Sequence, residues 1–154
     1  MNLRAAYNLA AELMKQHGLP ELGWNFEFDR ARQRFGLTSH SKQLITMSRE
    51  LTRLNSEQQV RDTILHEIAH ALVGRGHGHD DVWRSKAMSI GCNGHRCYDN
   101  TVIGVDKKYR GTCPNCGYSL TRFRRKHLIH TRCKPSGNAT LQWTLNDTDV
   151  RAAQ

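Results

Sequence analysis

The chain of 154 residues carries 23 Lys and Arg against 14 Asp and Glu, which gives a formal net charge of +9. Its length suits one compact domain with a small addition. No apolar run reaches the roughly 18 residues that a membrane-spanning helix needs, and the stretch from Met1 to Arg4 lacks the features of a secretory signal. We therefore expect a cytoplasmic protein of a bacterial or phage-infected cell, with no membrane partner.

The pattern of apolar residues predicts an α+β fold. Strands are predicted where apolar and polar residues alternate, over 24–29, 34–38 and 42–48. Helices are predicted where apolar residues recur at helical spacing, over 2–17, from Asn55 or Ser56 to about Val73, and over 80–90. After Gly91 the periodicity weakens, and we expect only short strands.

The positive charge is confined to one part of the chain. Between Lys107 and Asn146 there are nine Lys and Arg and no Asp or Glu, whereas the rest of the chain holds equal numbers of both signs. This asymmetry predicts two parts, residues 1–92 and 93–154, of which the second faces a polyanion.

The predicted helix before Val73 contains the motif His66-Glu67-x-x-His70. Histidines four residues apart lie one turn apart on the same face of a helix, where their imidazoles can share a Zn²⁺ ion. Glu67 can then reach a metal-bound water and take its proton as a general base. Apolar neighbours of the motif indicate a buried helix, in which unpaired polar side chains would be costly.

A catalytic zinc usually has three protein ligands and one open position. The Gly-rich segment after the helix offers two further candidates, His77 and His79. The longer metzincin pattern is excluded, because it requires Gly at position 73 and His at position 76, where this chain has Val73 and Gly76.

The chain has five cysteines, an odd number that argues against a disulfide framework. Cys113 and Cys116 have the spacing of a zinc knuckle, and His130 and Cys133 repeat it after thirteen intervening residues. We predict a structural zinc site on these four residues, which a small strand-rich segment needs in order to fold. His127 or an earlier cysteine could replace His130, and we expect Cys92 and Cys97 to be reduced or buried thiols.

Basic and aromatic residues alternate around this predicted site. Guanidinium and ammonium groups bind phosphates, and aromatic rings can stack on unpaired bases. No recognition helix is evident, so single-stranded or distorted DNA is the expected partner. The candidate contacts are Arg122, Arg124, Arg125 and Lys126.

The chain resembles the SprT-like family, which includes the Spartan proteases that act on DNA–protein crosslinks. The resemblance depends on His-Glu-Ile-Ala-His at 66–70, on a Gly-rich loop ending in a His four residues before an aromatic, and on a basic zinc ribbon behind. Because Trp83 follows His79 at that spacing, the resemblance implies His79 as the third ligand, with His77 as the alternative. It also implies a zincin-like metalloprotease domain, one catalytic and one structural zinc, and a second CxxC where this chain has His130.

The resemblance thus implies a zinc endopeptidase that cleaves proteins bound or crosslinked to DNA, with Glu67 as the base. A peptide substrate could add to the edge of the sheet, and residues 42–48 are the candidate edge, or else an ordinary core strand. The alternative function is a non-catalytic, DNA-binding or regulatory zinc protein. A nucleobase deaminase is excluded because His66 and Glu67 are adjacent, whereas the deaminase motif has one residue between its His and Glu. Another kind of metal-dependent hydrolase is a further alternative, which a nuclease assay would test.

Overall fold

The computed structural model describes residues 1–96, 102–136 and 139–146. The chain forms two compact units, Met1–Val105 and Asp106–Gln154, where the sequence suggested limits of 1–92 and 93–154. The segment after residue 101 belongs to the first unit because Val102 and Val105 pack against its core. None of the described helices is long and apolar enough to cross a membrane.

The first unit contains four helices and a three-stranded sheet. The strands are β1 (Asn25–Asp29), β2 (Gly36–Ser39) and β3 (Leu44–Ser48), and the helices are α1 (Leu3–Gln16), α2 (Arg49–Leu54), α3 (Glu57–Val73) and α4 (Asp81–Ser89). The expected α+β fold with small sheets is confirmed. Helix α2 was not predicted, because its six residues are too few to show a helical period.

Strand β3 is the centre of this sheet. It pairs in parallel with β1 and antiparallel with β2, in the order β1-β3-β2. The hypothesis that residues 42–48 form a free edge is therefore wrong, because the backbone of β3 is already paired on both sides. The edges of this sheet are β1 and β2.

Helix α3 is the main buried element of the first unit. Ser56 begins it with a capping box, in which its side chain and that of Gln59 each bond to the other residue's backbone. Its apolar face packs against α1 and the inner face of the sheet. The residues of α3 that are at most 1% exposed are Val60, Ile64, Leu65, Ile68 and Ala69.

The second unit is a small antiparallel sheet of β4 (Tyr109–Thr112), β5 (Ser119–Arg122) and β6 (Gln142–Leu145), in the order β5-β4-β6. A 3₁₀ helix covers Thr131–Ser136. Gly111 on β4 lies under the Trp143 ring, where a Cβ would stand 3.0 Å from ring carbons. Few apolar residues of this unit are buried, so its apolar core is small.

Asn55 ties the end of α2 to the segment that closes the first unit. Its side chain is buried, donates to Leu51 O (2.8 Å) and Ile103 O (2.9 Å), and accepts from Ile103 N (2.7 Å). We expect Asn55→Ala to lower the free energy of unfolding by about 2 kcal/mol, since buried backbone groups lose their partners. Denaturant titration measures this, and Asn25→Ala, which removes only an exposed bond to Gly23 O, should cost less than about 0.5 kcal/mol. Equal losses for the two variants would contradict this role of Asn55.

Candidate metal centres and their surroundings

Three histidines converge in the first unit. His66 and His70 lie one turn apart on α3, and His79 comes from the loop before α4. The Nε2 atom of His79 is 3.0 Å from His66 Nε2 and 3.3 Å from His70 Nε2. The structure therefore brings together the three residues that the sequence analysis favoured as ligands of the catalytic zinc.

The spacing of these nitrogens fits a zinc ion. Zn–N bonds of about 2.0–2.1 Å in a tetrahedron place two ligand nitrogens about 3.3 Å apart. Burial, and to a smaller extent the neighbouring imidazoles, lowers the pKa of His66 to about 3 and that of His70 to about 4. The rings are thus neutral at neutral pH, as metal ligands must be.

Neighbouring residues also contact His66 and His70. Trp83 of α4 is fully buried and stacks on His70, with the ring centroids 5.2 Å apart. The His66 imidazole donates a hydrogen bond to the backbone oxygen of His95, and His40 Nε2 lies 3.0 Å from His70 O. Such contacts restrict the orientation of metal-binding imidazoles.

His77 has a different partner. Its Nδ1 lies 2.8 Å from Oδ2 of Asp80, while Oδ1 of Asp80 accepts a hydrogen bond from Trp83 N (2.9 Å) and caps α4. Of the two candidates for the third ligand, the structure thus places His79 in the histidine cluster and His77 at the start of α4.

Glu67 lies between the two histidines of α3 and is only 5% exposed. Thr38 Oγ1 is 2.7 Å from Oε2 of Glu67 and 2.9 Å from its backbone oxygen. Burial raises the pKa of Glu67 to about 7, and the Thr38 hydrogen bond and the Arg34 charge act in the opposite direction. Gly36 lies against the same side chain.

A second cluster lies in the second unit. The potential ligand atoms of Cys113, Cys116, His130 and Cys133 all lie within 4.8 Å of one another. Gly117, in the left-handed region at φ 72°, closes the turn after the first two cysteines, and Cys116 Sγ is 3.3 Å from His130 Nδ1. Three sulfurs and one imidazole nitrogen fit a closed, four-coordinate structural zinc site.

His127 and Cys92 can also be placed. His127 is not part of this cluster. Cys92 is a free, buried thiol that donates to Asp62 O at 3.7 Å, and burial raises its pKa to about 11. Cys97 lies outside the described residues.

The proposed DNA contacts are exposed and lie at the end of β5 and in the residues just after it. Arg122 stands opposite Tyr109 in the sheet, and Arg125 lies over the Tyr109 ring, 5.0 Å from its centre. Lys108 approaches the same ring at 5.7 Å. Arg124 and Lys126 are also exposed.

Sequence reasoning did not assign Gly36, Thr38 or His95 to the site. The sequence did indicate that Gly36 and Thr38 lie on the same face of a strand, because residues two apart on a strand share a face. Nothing local indicated that this face would meet Glu67. His95 acts through its backbone, which has no residue-specific signal.

An α+β domain with three convergent imidazoles beside a buried carboxylate has the donor set of a zinc-binding protein. The family model for the SprT-like family matches residues 3–104. The chain belongs to the SprT-like family, which is generally associated with zinc metallopeptidase activity. The match lies within the first unit, and a search of curated proteins found no match.

We expect the purified chain to bind two zinc ions, one at each cluster. His79→Ala should lose one zinc because it removes one of three ligands, whereas His77→Ala should keep both. Cys113→Ser should lose the other zinc, and Cys92→Ser should keep both. Metal analysis of each variant by mass spectrometry measures this, and zinc loss from His77→Ala with retention in His79→Ala would contradict the assignment.

Proposed function

We propose that the chain is a zinc-dependent endopeptidase that hydrolyses peptide bonds in DNA-bound or DNA-crosslinked proteins, in the cytoplasm. The observation that carries the catalytic part is the convergence of three imidazole nitrogens, two of them from the helix that also carries the buried carboxylate of Glu67. A zincin-like metalloprotease domain has this arrangement on its active-site helix, which here is α3.

His66, His70 and His79 would hold the catalytic zinc. When bound there, zinc polarises a substrate carbonyl and lowers the pKa of a coordinated water. Glu67 accepts a proton from the attacking water as general base and then delivers it to the leaving amine nitrogen. The burial of Glu67 limits competition from bulk water for its carboxylate.

The substrate strand would pair with β2 rather than with β3. Strand β2 is an edge of the sheet, and Gly36 and Thr38 on its inner face contact Glu67. An extended peptide can add to such an edge through backbone hydrogen bonds. This edge would hold the peptide beside the general base.

The second unit would bind DNA. Lys108 and Arg125 approach the Tyr109 ring, and Arg122 is the cross-strand partner of Tyr109. The sequence from 107 to 146 contains no acidic residue to balance them. Like charges brought this close repel one another, and a phosphate backbone would relieve the repulsion. The zinc held by Cys113, Cys116, His130 and Cys133 would have a structural role, because it cross-links segments with little apolar core.

The role of Glu67 is tested with a protein crosslinked to a single-stranded oligonucleotide. We expect zinc-loaded wild type to cleave it and Glu67→Gln to be about 100-fold to 10,000-fold slower, because the base is lost. Fragments on denaturing gels measure the rate. Glu57→Gln, which changes an exposed carboxylate on the same helix, should cleave like wild type.

Two outcomes would contradict the peptidase proposal. One is equal cleavage by wild type and Glu67→Gln. The other is no cleavage by either protein when both are fully loaded with zinc and DNA is present. The second outcome would favour the non-catalytic, DNA-binding alternative.

The DNA-binding surface is tested by removing two charges. We expect Arg122→Gln with Arg125→Gln to weaken binding to single-stranded DNA and to flatten its salt dependence by about 0.7 in log–log slope per lost phosphate contact. Fluorescence anisotropy at several salt concentrations measures both quantities. Arg4→Gln with Arg61→Gln removes the same charge from exposed positions in the first unit. Equal losses in the two double variants would show that net charge alone, and not this surface, governs binding.

A further inference from the structure

Strand β2 makes two specific contacts with Glu67, and both come from residues that face α3. Gly36 and Thr38 are two apart on the strand and therefore point to the same side of the sheet. Neither contact is part of the backbone pairing between β2 and β3. The presence of Gly and Thr at these two positions therefore relates to the Glu67 carboxylate.

The first contact is a hydrogen bond from Thr38. Its hydroxyl has one proton, and two oxygens of Glu67 lie within reach, Oε2 at 2.7 Å and the backbone oxygen at 2.9 Å. An ionised carboxylate is the stronger acceptor. Because Thr is β-branched and stiff about χ1, the hydroxyl holds Oε2 in one place.

The second contact is made possible by the missing side chain of Gly36. A Cβ at this position would stand 2.7 Å from Cγ and 2.8 Å from Cδ of Glu67. The backbone of Gly36 is not in the left-handed region, so the glycine is required by space and not by conformation. The Glu67 side chain occupies the volume that any larger residue would fill.

We propose that Thr38 and Gly36 are positioning residues that hold the Glu67 carboxylate in its working orientation. This inference rests on the proposed peptidase function, and it adds a role for β2 beyond pairing with substrate. The same four-residue strand sets the place of the general base and the place of the peptide. The distance between base and scissile bond is then fixed by the strand itself.

The kinetic test compares three substitutions. Thr38→Val keeps the shape and removes the donor, and we expect kcat to fall about tenfold with KM and zinc content unchanged. Thr38→Ser keeps the donor and should recover most of that loss. Gly36→Ala should lower kcat at least as much, and Thr38→Val still decides the question if Gly36→Ala does not fold.

A matched control and a double variant separate positioning from general damage. Thr46→Val removes a hydroxyl from the same sheet whose bond goes to Asp29, and it should leave kcat unchanged. Adding Thr38→Val to Glu67→Gln should cause no further loss, because Thr38 acts through Glu67. Wild-type kcat in Thr38→Val, or a further tenfold loss in the double variant, would overturn the inference.

A measurement without turnover distinguishes this inference from the proposed function. In zinc-loaded protein labelled with ¹³C at glutamate side-chain carboxyls, Glu67→Gln identifies the Glu67 signal. We expect that signal to move in Thr38→Val and to stay in Thr46→Val. If wild type does not cleave but the signal moves, only the peptidase proposal fails; if the signal does not move in Thr38→Val, the positioning role fails.

Discussion

The architecture of the first unit depends on the burial of α3. A helix packed between α1 and the sheet carries the buried carboxylate of Glu67 and the half-buried imidazoles of His66 and His70. Burying such groups without partners would cost several kcal/mol. Each of these groups has a partner from another element. The His79 loop and Trp83 contact the imidazoles, and β2 contacts the carboxylate. Together these groups and their partners form the candidate site.

The second unit has only a small apolar core to stabilise it. Its three short strands bury few apolar side chains, so a zinc at the four-residue cluster would supply much of its stability. Tyr118 stacks on His130 at 4.5 Å and orients that ring, and Trp143 packs over Gly111. With the interior held this way, long basic side chains remain exposed on the surface, where under the proposed function they would face DNA.

The sequence predicted features that depend on residues close together in the chain better than features that depend on contacts between distant segments. Helix α3 and its cap were predictable because the period of apolar residues and the Ser56 to Gln59 pairing are local. Helix α2 was too short to show a period. The edge assignment of residues 42–48 failed because strand order is set by pairing between distant segments, and an alternating pattern is the same for a central and an edge strand.

The sequence by itself determined the chemistry that is available. It placed His66 and His70 one turn apart on one helix with Glu67 next to His66, spaced Cys113 and Cys116 as in a zinc knuckle, and confined the excess charge to one segment. Only the tertiary structure decided which of two nearby histidines joins them, with His79 in the cluster and His77 bonded to Asp80. It also decided that Gly36 and Thr38 meet Glu67. Spacing along a helix fixes neighbours within a few residues, whereas contacts between α3, β2 and a loop exist only once the core has packed.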